Sequence, residues 1–202
     1  MSGAERQILL IIRHAEKPPE APAQPPPFGI NQDGIQDPKS LTARGWERAG
    51  MWAELFAPSL GGTGPLPRPD AIFASAPAAH HDDVGLDGGS KSRRPLETVS
   101  ALARKLGLTI DLSFVRGQEA GLGAALSARP GVTLVCWQHE LIANIAKALT
   151  PPPQGVPTKW PGSRFNVVYR FVRTAGPGSA WRFDQIVPVM LDGDSDQTIP
   201  VS

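Results

Sequence analysis

The sequence contains a single cysteine, Cys136, which excludes an internal disulfide and any zinc site built on cysteine pairs. It also lacks an excess of either charge. Lys and Arg number 20 against 19 Asp and Glu, a net charge of +1, whereas binding to nucleic acid or an anionic membrane needs a dense basic face. Long hydrophobic runs are missing too. The longest uninterrupted aliphatic stretch, Ile8 to Ile12, is too short to span a bilayer or to form the core of a signal peptide. No N-x-Ser/Thr acceptor occurs. These absences lead us to expect a soluble, cytoplasmic protein with neither a nucleic-acid nor a membrane partner. They do not bear on its oligomeric state.

What is present suffices for a core. Apolar residues make up 41% of the 202 positions, and a chain of this length is most simply one domain. We expect a single domain over residues 1–202, with loop insertions near 17–40 and 76–91. Ile8-Leu-Leu-Ile-Ile12 has the continuous apolar character of a strand buried on both faces. The prolines of 18–27 then force an extended loop. Thr42 is a candidate N-cap for a helix with Trp46, Ala49, Ala53 and Phe56 on one face, ended by the glycines of 61–64. Ala71–Ala74 is a short second strand. Pro95 is tolerated only in a helix's first turn, so the next helix should start near Ser92. It would bury Leu96, Val99, Ala103 and Leu106, with Gly107 as its C-cap. Residues 109–112 form a candidate strand and 117–128 a glycine-weakened helix. Val132–Trp137 is a clear buried strand leading into His139 and an amphipathic helix through Leu141, Ile142, Ile145 and Leu149. Two further strands are expected at 167–172 and 181–187.

Alternating strands and helices with buried strands predict a three-layer α/β/α sandwich around a mainly parallel sheet. Ligands in such sheets bind beyond the carboxyl ends of strands. That rule points to Arg13-His14 and to Gln138-His139-Glu140, with Arg94 approaching from the first turn of a helix. Two imidazoles, two guanidinium groups and a carboxylate suit phosphoryl transfer. Arg forks and protonated imidazole hold the three equatorial oxygens, and a neutral histidine nitrogen can attack phosphorus with no metal or other cofactor. The carboxyl group would protonate the leaving alkoxide.

Other motifs carry less. His80-His-Asp-Asp83 offers metal-type ligands, but adjacent ligands rarely close one site; a solvated loop insertion is the simpler reading, and a loop that overhangs the pocket and selects substrates is a second. Asp192-Gly-Asp-Ser-Asp196 begins like a calcium loop and lacks its later positions. Residues 85–92 lack the Gly-Lys-Ser/Thr of a phosphate loop. Cys136 sits inside an apolar strand, where an inert thiol is expected.

Five segments, ILLIIRHAEKP (8–18), LTARGWERAG (41–50), AIFAS (71–75), SRRPLETVSALARKLGL (92–108) and TLVCWQHELI (133–142), together resemble the histidine phosphatase superfamily of phosphoglycerate-mutase-like proteins, in the family's order. The resemblance implies a phosphoglycerate-mutase-like fold and a phosphatase acting on a small phosphorylated substrate. It implies His14 as the phosphorylated nucleophile, Arg13, Arg94 and His139 as phosphate-holding groups, and Glu16 as a support for the His14 loop. The general acid departs from the commoner pattern, which places a glutamate just before a Gly-rich segment like 117–121. Glu140, directly after the second histidine, matches the acid-phosphatase branch and is preferred to Glu119. Mutase-type phosphotransfer, or a non-catalytic phospho-ligand module, are the alternatives.

Overall fold

A computed structural model describes residues 6–19, 26–77, 91–174 and 178–201. The His80–Asp83 segment and the middle of the proline-rich loop lie outside the described residues. A six-stranded sheet runs in the order β3-β2-β4-β1-β5-β6, with β1 at Gln7–Arg13, β2 at Ala71–Ala74, β3 at Ile110–Asp111, β4 at Gly131–Trp137, β5 at Val168–Arg173 and β6 at Arg182–Ile186. The pairings β1–β4, β2–β4 and β2–β3 are parallel. Strand β5 is antiparallel to both β1 and β6, so the sheet is mixed.

Helices cover both faces. Alternate residues of β1 point to opposite sides, and they join two separate cores. Ile8, Leu10 and Ile12 pack with Trp52 and Phe56 of α1 (Ala43–Phe56) and with Val99 and Leu102 of α2 (Arg94–Leu106). Leu9 and Ile11 pack with Leu122 and Leu126 of α3 (Glu119–Ala128) and with Ile142 and Ile145 of α4 (Ile142–Lys147). Every residue of β1 is buried, which is why its sequence is a solid apolar block. Among the described residues, no helix is long and apolar enough to cross a membrane.

Local signals set the helix ends. The Thr42 side chain accepts a hydrogen bond from the Gly45 amide and caps α1. Gly107 adopts a left-handed conformation, φ 67°, and closes α2. Helix α2 begins at Arg94, two residues later than expected, with Pro95 in its first turn. Its buried stripe is also rotated from the expectation: Thr98 and Leu102 are buried, while Leu96 and Leu106 are only partly so. The cause is that α2 packs on both α1 and the sheet, so its buried arc is broader than one stripe. Instead of entering a regular helix at once, the chain after β4 makes a single 3₁₀ turn at His139–Leu141 before α4.

The register Arg13↔Trp137 in the β1–β4 pair places the ends of the two strands side by side. The ladder extends one step further, the His14 amide donating to the Trp137 carbonyl at 3.1 Å. From here the chain leaves β1 toward the α1 side, whereas after β4 it turns to α4 on the other face. The crevice between these departures is where the sheet's topology expects a ligand.

Replacing Thr42 with alanine removes the α1 cap, and we expect a loss of about 1 kcal/mol in urea unfolding. An unchanged midpoint would show that the cap contributes nothing.

Candidate active site

A cavity of about 300 Å³ opens at the carboxyl ends of β1 and β4, lined by His14, Lys17, Ser92, Arg94, Arg116, Gln138, His139 and Glu140. That volume is at the small end of ligand pockets, about 300–1,000 Å³. The structure thus brings together four of the residues singled out from sequence: His14, Arg94, His139 and Glu140. Arg13 and Glu119 do not line the cavity.

His14 is 4% exposed. Its Nδ1 lies 2.8 Å from the Ala15 carbonyl oxygen. A carbonyl only accepts, so Nδ1 carries the proton and the lone pair of the neutral ring is on Nε2. Burial and then the neighbouring Arg13 charge push the imidazole pKa down to about 3. The ring is therefore neutral across the physiological range, the form in which Nε2 is a nucleophile.

Arg13 is wholly buried. One of its Nη groups donates to three backbone carbonyls, Gly162 at 2.8 Å, Arg164 at 3.1 Å and Pro161 at 3.3 Å. The guanidinium carbon lies 3.8 Å over the Phe165 ring. Burial lowers its pKa to about 10, partly offset by the charges of Glu140 and Glu16, so it stays cationic at neutral pH. Among the described residues its Nε and Nη2 have no hydrogen-bond partner.

The two candidate carboxylates are in different places. Glu119 is buried and accepts from the Trp137 indole at 2.8 Å and the Gly117 amide at 3.0 Å. It is a tie between α3 and β4. Glu140 faces the cavity with Oε2 3.0 Å from His139 Nδ1 and Oε1 3.4 Å from Arg116 Nη2. The contact with His139 is the main reason its carboxyl pKa falls to about 2. Without a ligand Glu140 is thus a carboxylate, not an acid.

Glu16, two residues after His14, is paired with an arginine that the sequence did not point to. Buried Arg48 of α1 makes a bidentate contact with Glu16, 2.7 Å at its shortest, and a second with Asp194, at 2.7 and 2.8 Å. Asp194 also accepts from the Met190 and Leu191 amides. Helix α1 can come this close because position 45 is glycine: a Cβ there would lie 2.6 Å from the Glu16 carbonyl oxygen. Lys17 and Arg116 were also missed as cavity residues. Arg116 follows β3, so the same end-of-strand rule would have found it. Gln138 donates to the Ser75 hydroxyl at 3.0 Å, anchoring the end of β4 to the end of β2.

His139→Ala removes the chief contact that holds Glu140 ionised, so the Glu140 carboxyl should rise toward the ordinary glutamate value of about 4.3. Carbon NMR titration of that carboxyl checks this, and a pKa still near 2 in the variant would refute the stated cause.

No family model matches the chain, and no curated protein matches it. Solved structures do. A protein histidine phosphatase SixA complexed with tungstate is 15% identical over 89% of this chain and 96% of its own, with a TM-score of 0.51. A SixA protein from Agrobacterium tumefaciens, assigned as a phosphohistidine phosphatase, is 16% identical over 90% and 98%, with a TM-score of 0.48. The first likeness is one of fold, and it spans nearly the whole of both chains. The chain shares the fold of that protein histidine phosphatase.

Proposed function

We propose that this protein is a metal-independent phosphatase that hydrolyses a phosphorylated substrate through a phosphohistidine at His14. One observation carries the reading: a neutral, buried imidazole has its Nδ1–H engaged by Ala15, leaving Nε2 as a lone-pair donor in a cavity shared with Arg94 and His139. In the first step Nε2 attacks phosphorus in line, the P–N bond forms and the bond to the leaving group breaks. Arg94 and His139 donate to the equatorial oxygens, where charge accumulates. Arg13, buried behind the cavity wall, supplies a fixed positive charge beside them. In the second step water attacks phosphorus, the P–N bond breaks and inorganic phosphate leaves.

Glu140 is the proton-transfer group in this reading. Its resting carboxylate is suited to take a proton from the attacking water. To serve as the acid in the first step it must first be protonated. An incoming phosphate dianion competes for His139, whose hydrogen bond is the main reason the carboxyl pKa is near 2, and for the Arg116 guanidinium, and so lifts it. Ester substrates should therefore turn over faster as the pH falls.

The ionised Glu140 also favours a substrate whose leaving group needs little help. The tungstate-bound SixA structure is named a protein histidine phosphatase. A phosphorylated imidazole fits this demand, because the leaving ring can take its proton from solvent on the far nitrogen. We infer that such a compound is a better substrate here than an alkyl phosphate.

Hydrolysis of an aryl phosphate should be unaffected by chelator and should fall by about 1,000-fold or more in His14→Ala. Wild-type protein should carry an acid-labile, alkali-stable phosphoryl label that the variant lacks. Equal activity in both proteins would remove His14 from the mechanism. Glu140→Gln should slow alkyl phosphates more than aryl phosphates, whose leaving groups need little protonation. If both classes slow equally, Glu140 is not the proton donor.

A further inference from the structure

Thr98 takes no part in the reaction just described, yet two of its bonds meet at the site. It is fully buried on the first turns of α2. Its hydroxyl donates to the carbonyl of Arg94, one helical turn earlier, at 2.7 Å. That bond uses the only proton a hydroxyl has and fixes its rotor. The oxygen lone pairs are then left for an incoming donor, and the Ala15 amide occupies one of them at 2.9 Å.

Ala15 is the residue whose carbonyl accepts the His14 Nδ1 proton. Both ends of this residue are therefore committed, the amide to Thr98 and the carbonyl to the imidazole. Ala15 is itself fully buried, so an amide that lost Thr98 would have no water to turn to and would be driven to tilt toward another acceptor. Tilting moves the carbonyl that decides which imidazole nitrogen is protonated.

We propose that Thr98 is a positioning residue whose hydroxyl fixes the Ala15 backbone that sets the His14 tautomer and, through the Arg94 carbonyl, the spacing between the nucleophile and the phosphate-holding guanidinium. The catalytic consequence rests on the proposed role of His14, whereas the tautomer consequence does not.

The test compares wild type, Thr98→Val and Thr98→Ser. Nitrogen NMR of the His14 ring should show the Nδ1–H tautomer alone in wild type and a mixture of tautomers in Thr98→Val. The rate of His14 phosphorylation by an aryl phosphate should fall by about 10- to 100-fold in Thr98→Val, the range typical when the partner that orients a metal-bound histidine is lost. Thr98→Ser keeps the hydroxyl and should restore both the tautomer and most of the rate, which a role in packing alone would not do. A Thr98→Val protein with the wild-type tautomer and rate overturns the proposal, as does a Thr98→Ser protein impaired as badly as Thr98→Val. If Thr98→Val does not fold, Thr98→Ala takes its place with the same expected and contrary outcomes. Should His14→Ala retain full activity, the nucleophile assignment fails on its own, and the tautomer in the Thr98 variants still decides this proposal.

Discussion

A single hydrogen bond, from His14 Nδ1 to the Ala15 carbonyl at 2.8 Å, determines what this site can do. It assigns the ring proton, and by doing so leaves Nε2 as the unprotonated nitrogen. Burial prevents the ring from escaping into its cationic form, because a charged imidazole would give up hydration that the surroundings do not replace. The adjacent Arg13 charge adds to that penalty. A cation beside a would-be nucleophile thus has two effects: it keeps the imidazole neutral and it supplies positive potential where a phosphate would lie. The same logic links His14 to stability. Its pKa is about 3 when folded, below the unfolded value of about 6.5. The unfolded chain therefore binds the extra proton between these values, and folding stability is lost as the pH falls through that window.

The arginines near the site are arranged in two tiers. Arg94 and Arg116 line the cavity, where they can reach a ligand. Arg13 and Arg48 are buried behind them and are held by backbone carbonyls and by the Glu16 and Asp194 carboxylates. Phe165 lies beneath both guanidinium groups, 3.8 Å from Arg13 and 5.9 Å from Arg48. Much of this support comes from the last quarter of the chain. The carbonyls that grip Arg13 belong to residues 161–164, and the segment around Asp194 is tied back by Asn166, which donates to the Pro188 and Ser195 carbonyls. His14 and the buried cations behind it thus depend on contacts that close across about 150 residues of sequence.

This distribution explains what could be read from sequence. Strand β1, strand β4, the Thr42 cap and the Gly107 stop were legible because each depends on a local pattern: a solid apolar block, a hydroxyl before a helix, a glycine after one. The meeting of His14, Arg94 and His139 was legible because all three lie just beyond strands or at a helix start, where α/β sheets collect ligands. Arg48 was not legible. It falls on the buried side of α1, and only its two distant carboxylate partners make burial of an arginine tolerable. Phe165 and the 161–164 carbonyls gave no signal either, since backbone acceptors carry no residue identity. Placement along the chain favours Glu140 over Glu119 without showing what either touches. Their surroundings separate them: an indole and an amide hold the first away from the cavity, while His139 and Arg116 hold the second at its wall.

The most direct test of the central claim is a crystal structure of the protein with a phosphate-mimicking oxyanion such as tungstate. The account predicts the anion's central atom in line with His14 Nε2, with Arg94 and His139 donating to its oxygens and Nδ1 still on the Ala15 carbonyl. An anion bound elsewhere, or one facing a His14 ring whose Nε2 points away from it, would contradict the account.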